Sequence, residues 1–179
     1  NQNQNNNQTI VKWIQGPIIQ TPHGLQQFEF IVTRSLGYIY IWQSFLQSSV
    51  WDRICHFCAH KQSISALDCH ISQNHQSLDI FSGAHDHVIR QWHCSISSSV
   101  TTHDDPDQVA VFEGHSAPIT CISTKSSSDV LFSSSDDRTL RIWCIHTAIC
   151  CRVLNLGGSP PQSLMRGGDD AFVLSTSSN

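Results

Sequence analysis

Two sets of histidine, serine and aspartate recur along the chain: His60 with Ser82 and Asp86, then His115 with Ser133 and Asp137. These are the residue types of a hydrolase triad, in which a histidine takes the serine proton and a carboxylate orients the imidazole. A catalytic serine also needs an exposed hydroxyl and an oxyanion site, and the sequence holds no strained Gly-x-Ser-x-Gly turn to supply them. The run Cys55-His56-Phe57-Cys58-Ala59-His60 offers metal chemistry instead. Its Cys-x-x-Cys pair is a common half of a zinc site, with Cys69, His70 and His75 downstream. A second clean ligand pair is lacking, and an outer strand with alternating faces accounts for the same residues. Residues 95–109 are serine-rich and then acidic, which reads as a solvated insertion or, alternatively, as a phosphorylatable partner-binding loop. Gly157-Gly158 and Gly167-Gly168 punctuate turns, and no glycine-rich phosphate loop is present. The expectation is a chain with no catalytic, cofactor-binding or metal-binding residue.

Composition narrows the setting. The 179 residues suffice for one domain with a real core. Charged residues make up 13%, against about 25% in an ordinary domain, so serine, glutamine, asparagine and histidine carry the polarity. A net charge of −4 argues against a nucleic-acid surface. No apolar run is long enough to insert as a membrane helix. Seven of the eight cysteines sit in or beside apolar runs, which reads as reduced thiols in an intracellular, cytoplasmic or nuclear, protein.

To place such residues twice, the chain must repeat its elements. Set 51 residues back, Trp143 falls on Trp92, Asp137 on Asp86, Ser133 on Ser82, Phe132 on Phe81 and Arg141 on Arg90. A further shift of 50 sets Val88–Trp92 on Tyr38-Ile39-Tyr40-Ile41-Trp42. A last copy begins where Phe172–Ser177 matches Val130–Ser135. The spacing predicts strands near 17–21, 28–33, 38–43 and 51–57. The second set lies near 64–70, 78–82, 88–93 and 109–112, with an insertion at about 94–108. The third lies near 119–124, 130–134, 139–144 and 149–154, and a final pair near 162–166 and 171–176. Thr9–Trp13 is expected to close an earlier unit as its outer strand. The Asn/Gln-rich head, residues 1–8, cannot build a core, so the folded part is expected over 9–179.

These repeats resemble the WD-repeat (WD40) family. The third copy is the nearest match: Gly114-His115 opens it, Ser135-Asp136-Asp137-Arg138-Thr139 makes the turn, and Leu140-Arg141-Ile142-Trp143 closes the strand. The resemblance implies an all-β, WD40-type β-propeller segment of about three near-complete four-stranded blades plus partial blades. Repeats are expected near 14–57, 60–112 and 115–154, with a partial one at 157–179. It also implies that each triad is an internal brace: the tryptophan donates to the serine, the serine bonds the histidine, and the aspartate holds the histidine. Those tetrads are His60, Ser82, Asp86 and Trp92, then His115, Ser133, Asp137 and Trp143. The first copy has Ile14, Val32 and Leu36 at the polar positions, keeps only Trp42, and is expected to rely on packing alone. The family's dipeptide is missing from the closing strands, since Trp42, Trp92 and Trp143 precede Gln43, His93 and Cys144; the one literal Trp-Asp, Trp51-Asp52, lies nine residues before His60, where the outermost strand is expected, and is read as a false match.

The resemblance further implies a scaffold whose partners are other proteins. In the family, the residue before the turn aspartate faces solvent on the narrower side, where partners dock; here those positions are Ser35, His85 and Asp136. A substrate-receptor or targeting module in a ubiquitin ligase or trafficking complex, or a metal-binding propeller, are the alternatives. Three blades fall short of a closed ring of four to eight. The rest of the propeller is therefore expected from the same or a neighbouring chain, with this sequence a fragment.

Overall fold

The computed structural model describes residues 11–21, 24–46, 48–72, 77–96, 106–124, 129–158, 161–167 and 171–176. The calls on residues 1–8, on His75 and on the middle of the insertion lie outside them. The described residues form strands and turns with no helix. Strands β1 (Val11–Thr21), β2 (Gly24–Ser35), β3 (Tyr38–Phe45) and β4 (Asp52–Cys58) make a first antiparallel sheet in sequence order. Strands β5 (Ile64–Ile71), β6 (Ser77–Ala84), β7 (Ile89–Ser95) and β8 (Asp107–Phe112) make the second. The third holds β9 (Ile119–Thr124), β10 (Val130–Ser135), β11 (Thr139–Cys144) and β12 (Cys150–Asn155). Strands β13 (Pro161–Gly167) and β14 (Ala171–Thr176) pair as a two-stranded sheet. These are the sheets of WD40-type blades, one per expected repeat.

One strand differs from expectation. Val11–Trp13 do not close an earlier unit; they pair with Thr33–Ile31 as the start of β1, which continues through a bulge between Gln15 and Ile18. The bulge lets one strand carry two alternating segments that the sequence presents as separate.

The sheets stack face to face, and burial follows the stacking. Phe28, Phe30, Val32, Ile39 and Ile41 of the first sheet pack on Ile64, Leu67, Leu78, Ile80 and Trp92 of the second. Ala66, Phe81, Ile89 and Phe112 of the second pack on Ile119, Ile122, Leu131 and Trp143 of the third. Strand β6 is therefore covered on both faces and buried almost throughout. The first sheet has one covered face; on the other, Trp13 is 56% and Tyr38 44% exposed.

Strands β1, β5, β9 and β13 lie side by side along the inner edge of the stack. One carboxylate on β5 ties three sheets there. Asp68 Oδ1 stands 3.1 Å from Lys12 Nζ of the first sheet, and Oδ2 accepts the Thr124 N–H at 2.7 Å and its hydroxyl at 3.0 Å from the third.

Candidate functional site

Each histidine of the sequence-predicted tetrads lies in the linker entering its sheet, its serine in the second strand, its aspartate in the tight turn and its tryptophan in the third strand. The structure brings all eight together as two groups of four. In the second sheet, His60 Nδ1 is 3.0 Å from Asp86 Oδ2 and His60 Nε2 is 2.8 Å from Ser82 Oγ. The Trp92 indole N–H donates to the same Ser82 oxygen at 3.0 Å. In the third sheet, His115 Nδ1 to Asp137 Oδ2, His115 Nε2 to Ser133 Oγ, and Trp143 Nε1 to Ser133 Oγ are each 2.8 Å.

Hydrogen-bond direction fixes one arrangement of protons. The indole can only donate, and the ionised carboxylate can only accept. In the third sheet His115 therefore carries its proton on Nδ1, and bare Nε2 accepts the Ser133 O–H; in the second, Arg90 Nη1 also points at His60 Nδ1 and the Ser82 carbonyl stands 3.2 Å from Nε2, so the direction of the His60–Ser82 bond is not set in the same way. The third-sheet order is that of a nucleophilic triad, but both hydroxyls are fully buried and capped by an indole. No acyl carbon can reach them, so the arrangement serves as a brace.

The two groups differ around the aspartate. In the second sheet, Arg90 Nη1 donates to Asp86 at 2.8 Å. In the third, Thr139 donates to Asp137 through its hydroxyl at 2.6 Å and its N–H at 2.9 Å. The Ser116 N–H adds a bond at 3.0 Å. Arg141 lies instead over the Trp143 ring at 5.7 Å.

The surroundings set the protonation. Burial holds His60 and His115 below the usual imidazole pKa, outweighing the carboxylates beside them. Burial would raise Asp137, but bonds from Thr139, His115 and the Ser116 N–H bring it down to about 2. Asp86 is also lowered: burial would raise it, and bonds from Arg90 and His60 prevail. For both residue types the unfolded chain binds more protons than the folded one, so stability is lost as pH falls. The histidine contribution is complete above about pH 6.5, the unfolded imidazole value, and is lost as pH falls toward the lower folded value. The carboxylate contribution is lost between 3.8 and about 2. Melts from about pH 8 to about pH 2 are expected to show two acid steps, the upper one reduced in His115→Gln. A profile flat down to the carboxylate range would contradict this.

The first sheet departs from the expectation of packing alone. Trp42 Nε1 donates to Thr33 Oγ1 at 3.4 Å, while Val32 points into the core between the sheets. The hydroxyl was missed because the β2–β3 turn is one residue shorter here: nine positions separate Thr33 from Trp42, against ten in the other sheets. In place of an aspartate, the turn itself is the acceptor. The Gly37 carbonyl takes the N–H groups of Ala59 at 2.9 Å and His60 at 3.1 Å, and the Leu36 carbonyl takes that of Ile64 at 2.8 Å.

Of the three residues expected on the partner surface, His85 and Asp136 meet. They line a cleft of about 260 Å³ between the second and third sheets, with Ser65, Pro118, Ile119 and Thr120. Ser35 is exposed at the end of β2 and is not part of that cleft. The Cys55–His60 run occupies β4 and the linker after it; Cys58 is exposed and its thiol donates to the His60 carbonyl at 3.4 Å. Among the described residues no three His, Cys, Asp or Glu groups gather as a metal ion would require. Cys150 is half-buried against the second core and Cys151 is exposed.

Comparison with known proteins agrees with this architecture. The family described as "WD domain, G-beta repeat" matches residues 51–93 and 106–144. Each matched stretch opens in the outer strand of one sheet and ends at the tryptophan strand of the next, so the repeats interlock the sheets. WD repeat-containing protein 18 of Homo sapiens is 38% identical over 56 residues, 31% of this chain and 13% of that protein. Ribosome biogenesis protein BOP1 of Rattus norvegicus is 41% identical over 77 residues, 37% of this chain and 10% of that protein. Zinc finger CCCH domain-containing protein 48 of Arabidopsis thaliana is 46% identical over 46 residues, 26% of this chain and 11% of that protein. The similar stretch is thus a small part of each relative.

Proposed function

The chain is a WD40-repeat protein, and from that premise we propose that it is a non-catalytic scaffold presenting the turns between its strands to protein partners. The observation that carries this is the contrast between the two kinds of polar residue. The histidines, serines and aspartates of catalytic type bond one another inside the sheets. His85 and Asp136, at the same turns, stand exposed around one cleft. The reading needs no membrane insertion, and among the described residues no helix is long and apolar enough to cross a membrane. It needs no nucleic-acid contact either, and the net charge of −4 disfavours one.

The setting we propose is a cytoplasmic or nuclear multiprotein assembly. A relative named as a ribosome biogenesis protein favours such an assembly over a free-standing module. A role as a substrate receptor in a ligase or a trafficking complex would use the same surface. The half-covered first sheet, with Trp42 only half-buried against 8% exposure for Trp92 and 1% for Trp143, is proposed to take a further blade from the same or a neighbouring chain. Cross-linking of the purified chain at rising concentration, with and without Trp13→Ser, tests that contact.

Rim charges act mainly on recognition and association rate. His85→Ala with Asp136→Lys is therefore expected to lose co-purifying proteins from the native extract while the melt stays within about 0.5 kcal/mol of the parent, as for surface changes generally. An unchanged set of partners would move the binding surface away from this cleft.

A further inference from the structure

Building on the reading of this cleft as a partner surface, we propose that it takes the arginine side chain of a protein segment. The rim is held in place by its backbone: the His85 N–H donates to the Ser63 carbonyl at 3.0 Å, and the Asp136 N–H to the Pro118 carbonyl at 3.0 Å. The two hydroxyl side chains that line the cleft are already engaged. The Ser65 hydroxyl donates to the Ile119 carbonyl, and the Thr120 and Ser134 hydroxyls bond each other at 2.8 Å. The Asp136 carboxylate has no hydrogen bond or ion pair with the described residues. It is the one acidic group among the lining residues, held on a rigid turn and exposed to solvent.

Size, shape and charge then select the occupant. A space of about 260 Å³ lies below the range of about 300–1,000 Å³ typical of small-molecule pockets, so it suits a single long side chain. Pro118 and Ile119 supply an apolar wall for an aliphatic stem. A carboxylate at the end of that wall is met by a guanidinium through two parallel bonds, whereas an ammonium supplies a point charge. An acidic or phosphorylated segment would place like charges together.

The test titrates acetyl-Ala-Arg-Ala-amide into the isotope-labelled chain and follows its amide resonances. Saturable shifts are expected at Ser65, His85, Thr120 and Asp136, with none from the isosteric neutral citrulline peptide. Asp136→Asn is expected to weaken the arginine peptide about tenfold, the loss of one charge-assisted bond. Asp136→Glu, which keeps the charge, should retain most of the binding. Equal binding of the arginine and citrulline peptides, or full affinity in Asp136→Asn, would overturn the proposal. If the peptide leaves the parent chain unshifted while co-purifying proteins still depend on His85 and Asp136, the arginine assignment fails and the scaffold reading stands. If the peptide binds through Asp136 and the co-purifying proteins are indifferent to it, the reverse holds.

Discussion

Gly37→Ala is expected to unseat the first sheet from the second and to cost about 3 kcal/mol or more. A Cβ at this position would overlap the His60 carbonyl oxygen and lie 3.1 Å from the His60 carbonyl carbon and 3.2 Å from the Gln62 carbonyl oxygen. All three atoms are backbone, so no side chain can swing aside. The overlap falls at the only joint by which the turn of the first sheet holds the linker entering the second among the described residues: three N–H groups, from Ala59, His60 and Ile64, donate to the Gly37 and Leu36 carbonyls. Overpacking alone typically costs about 1–3 kcal/mol. Each displaced backbone bond adds about 1 kcal/mol. Moving this linker also moves His60, so the brace in the second sheet should loosen with it. Denaturant melts followed by tryptophan fluorescence read the loss. Gly158→Ala is the control, because the nearest atom to its Cβ would be the Leu156 carbonyl oxygen at an ordinary 3.8 Å. A Gly37→Ala chain as stable as that control would mean that the turn does not carry the joint.

That joint also marks where the sequence stopped being informative. Alternation and turn spacing placed the strands, because a half-buried strand and a tight turn both leave local signatures. The tetrads were legible for a related reason: indole, hydroxyl, imidazole and carboxylate recur at fixed offsets, and 51 residues separate each pair of equivalents in the strands and the turn. The first repeat broke both aids. Its turn is one residue shorter, which put Val32 in the place that Thr33 occupies, and its acceptors are main-chain carbonyls, which leave no side-chain signature. The merging of residues 11–13 with the following strand depends on a bulge, a backbone feature with no residue type of its own here. Asp68 was passed over because its partners Lys12 and Thr124 are 56 residues away on either side, on two different sheets. The cleft was half legible: the turn register named His85 and Asp136, while Pro118, Ile119 and Thr120 come from the neighbouring repeat and only the stacking of sheets brings them in.

The Trp143 and Asp137 ends of one brace should fail together rather than independently. Trp143→Phe removes the indole donor from Ser133 Oγ at a residue that is 1% exposed. The expected loss is about 1–3 kcal/mol, the cost of leaving a buried polar group short of a partner. Asp137→Ala should cost a similar amount, since it strips an acceptor from His115 Nδ1, the Thr139 hydroxyl and the N–H groups of Ser116 and Thr139. The two losses are not separate. Without Asp137, the neighbour left to His115 Nδ1 is the Thr139 hydroxyl at 3.2 Å, which can donate as well as accept, so Nε2 no longer has to accept from Ser133. The serine hydroxyl can then turn, and the bond it receives from Trp143 is weakened before the indole is touched. The double variant should therefore fall short of the sum of the singles by at least about 0.5 kcal/mol, the lower end for residues in one network. The same cycle run between Trp143 and Asp86, which belong to different braces, should be additive. If the Trp143–Asp137 cycle is additive too, the four side chains are neighbours in the third sheet without being a connected brace, and the stability of the sheet rests on its apolar contacts alone.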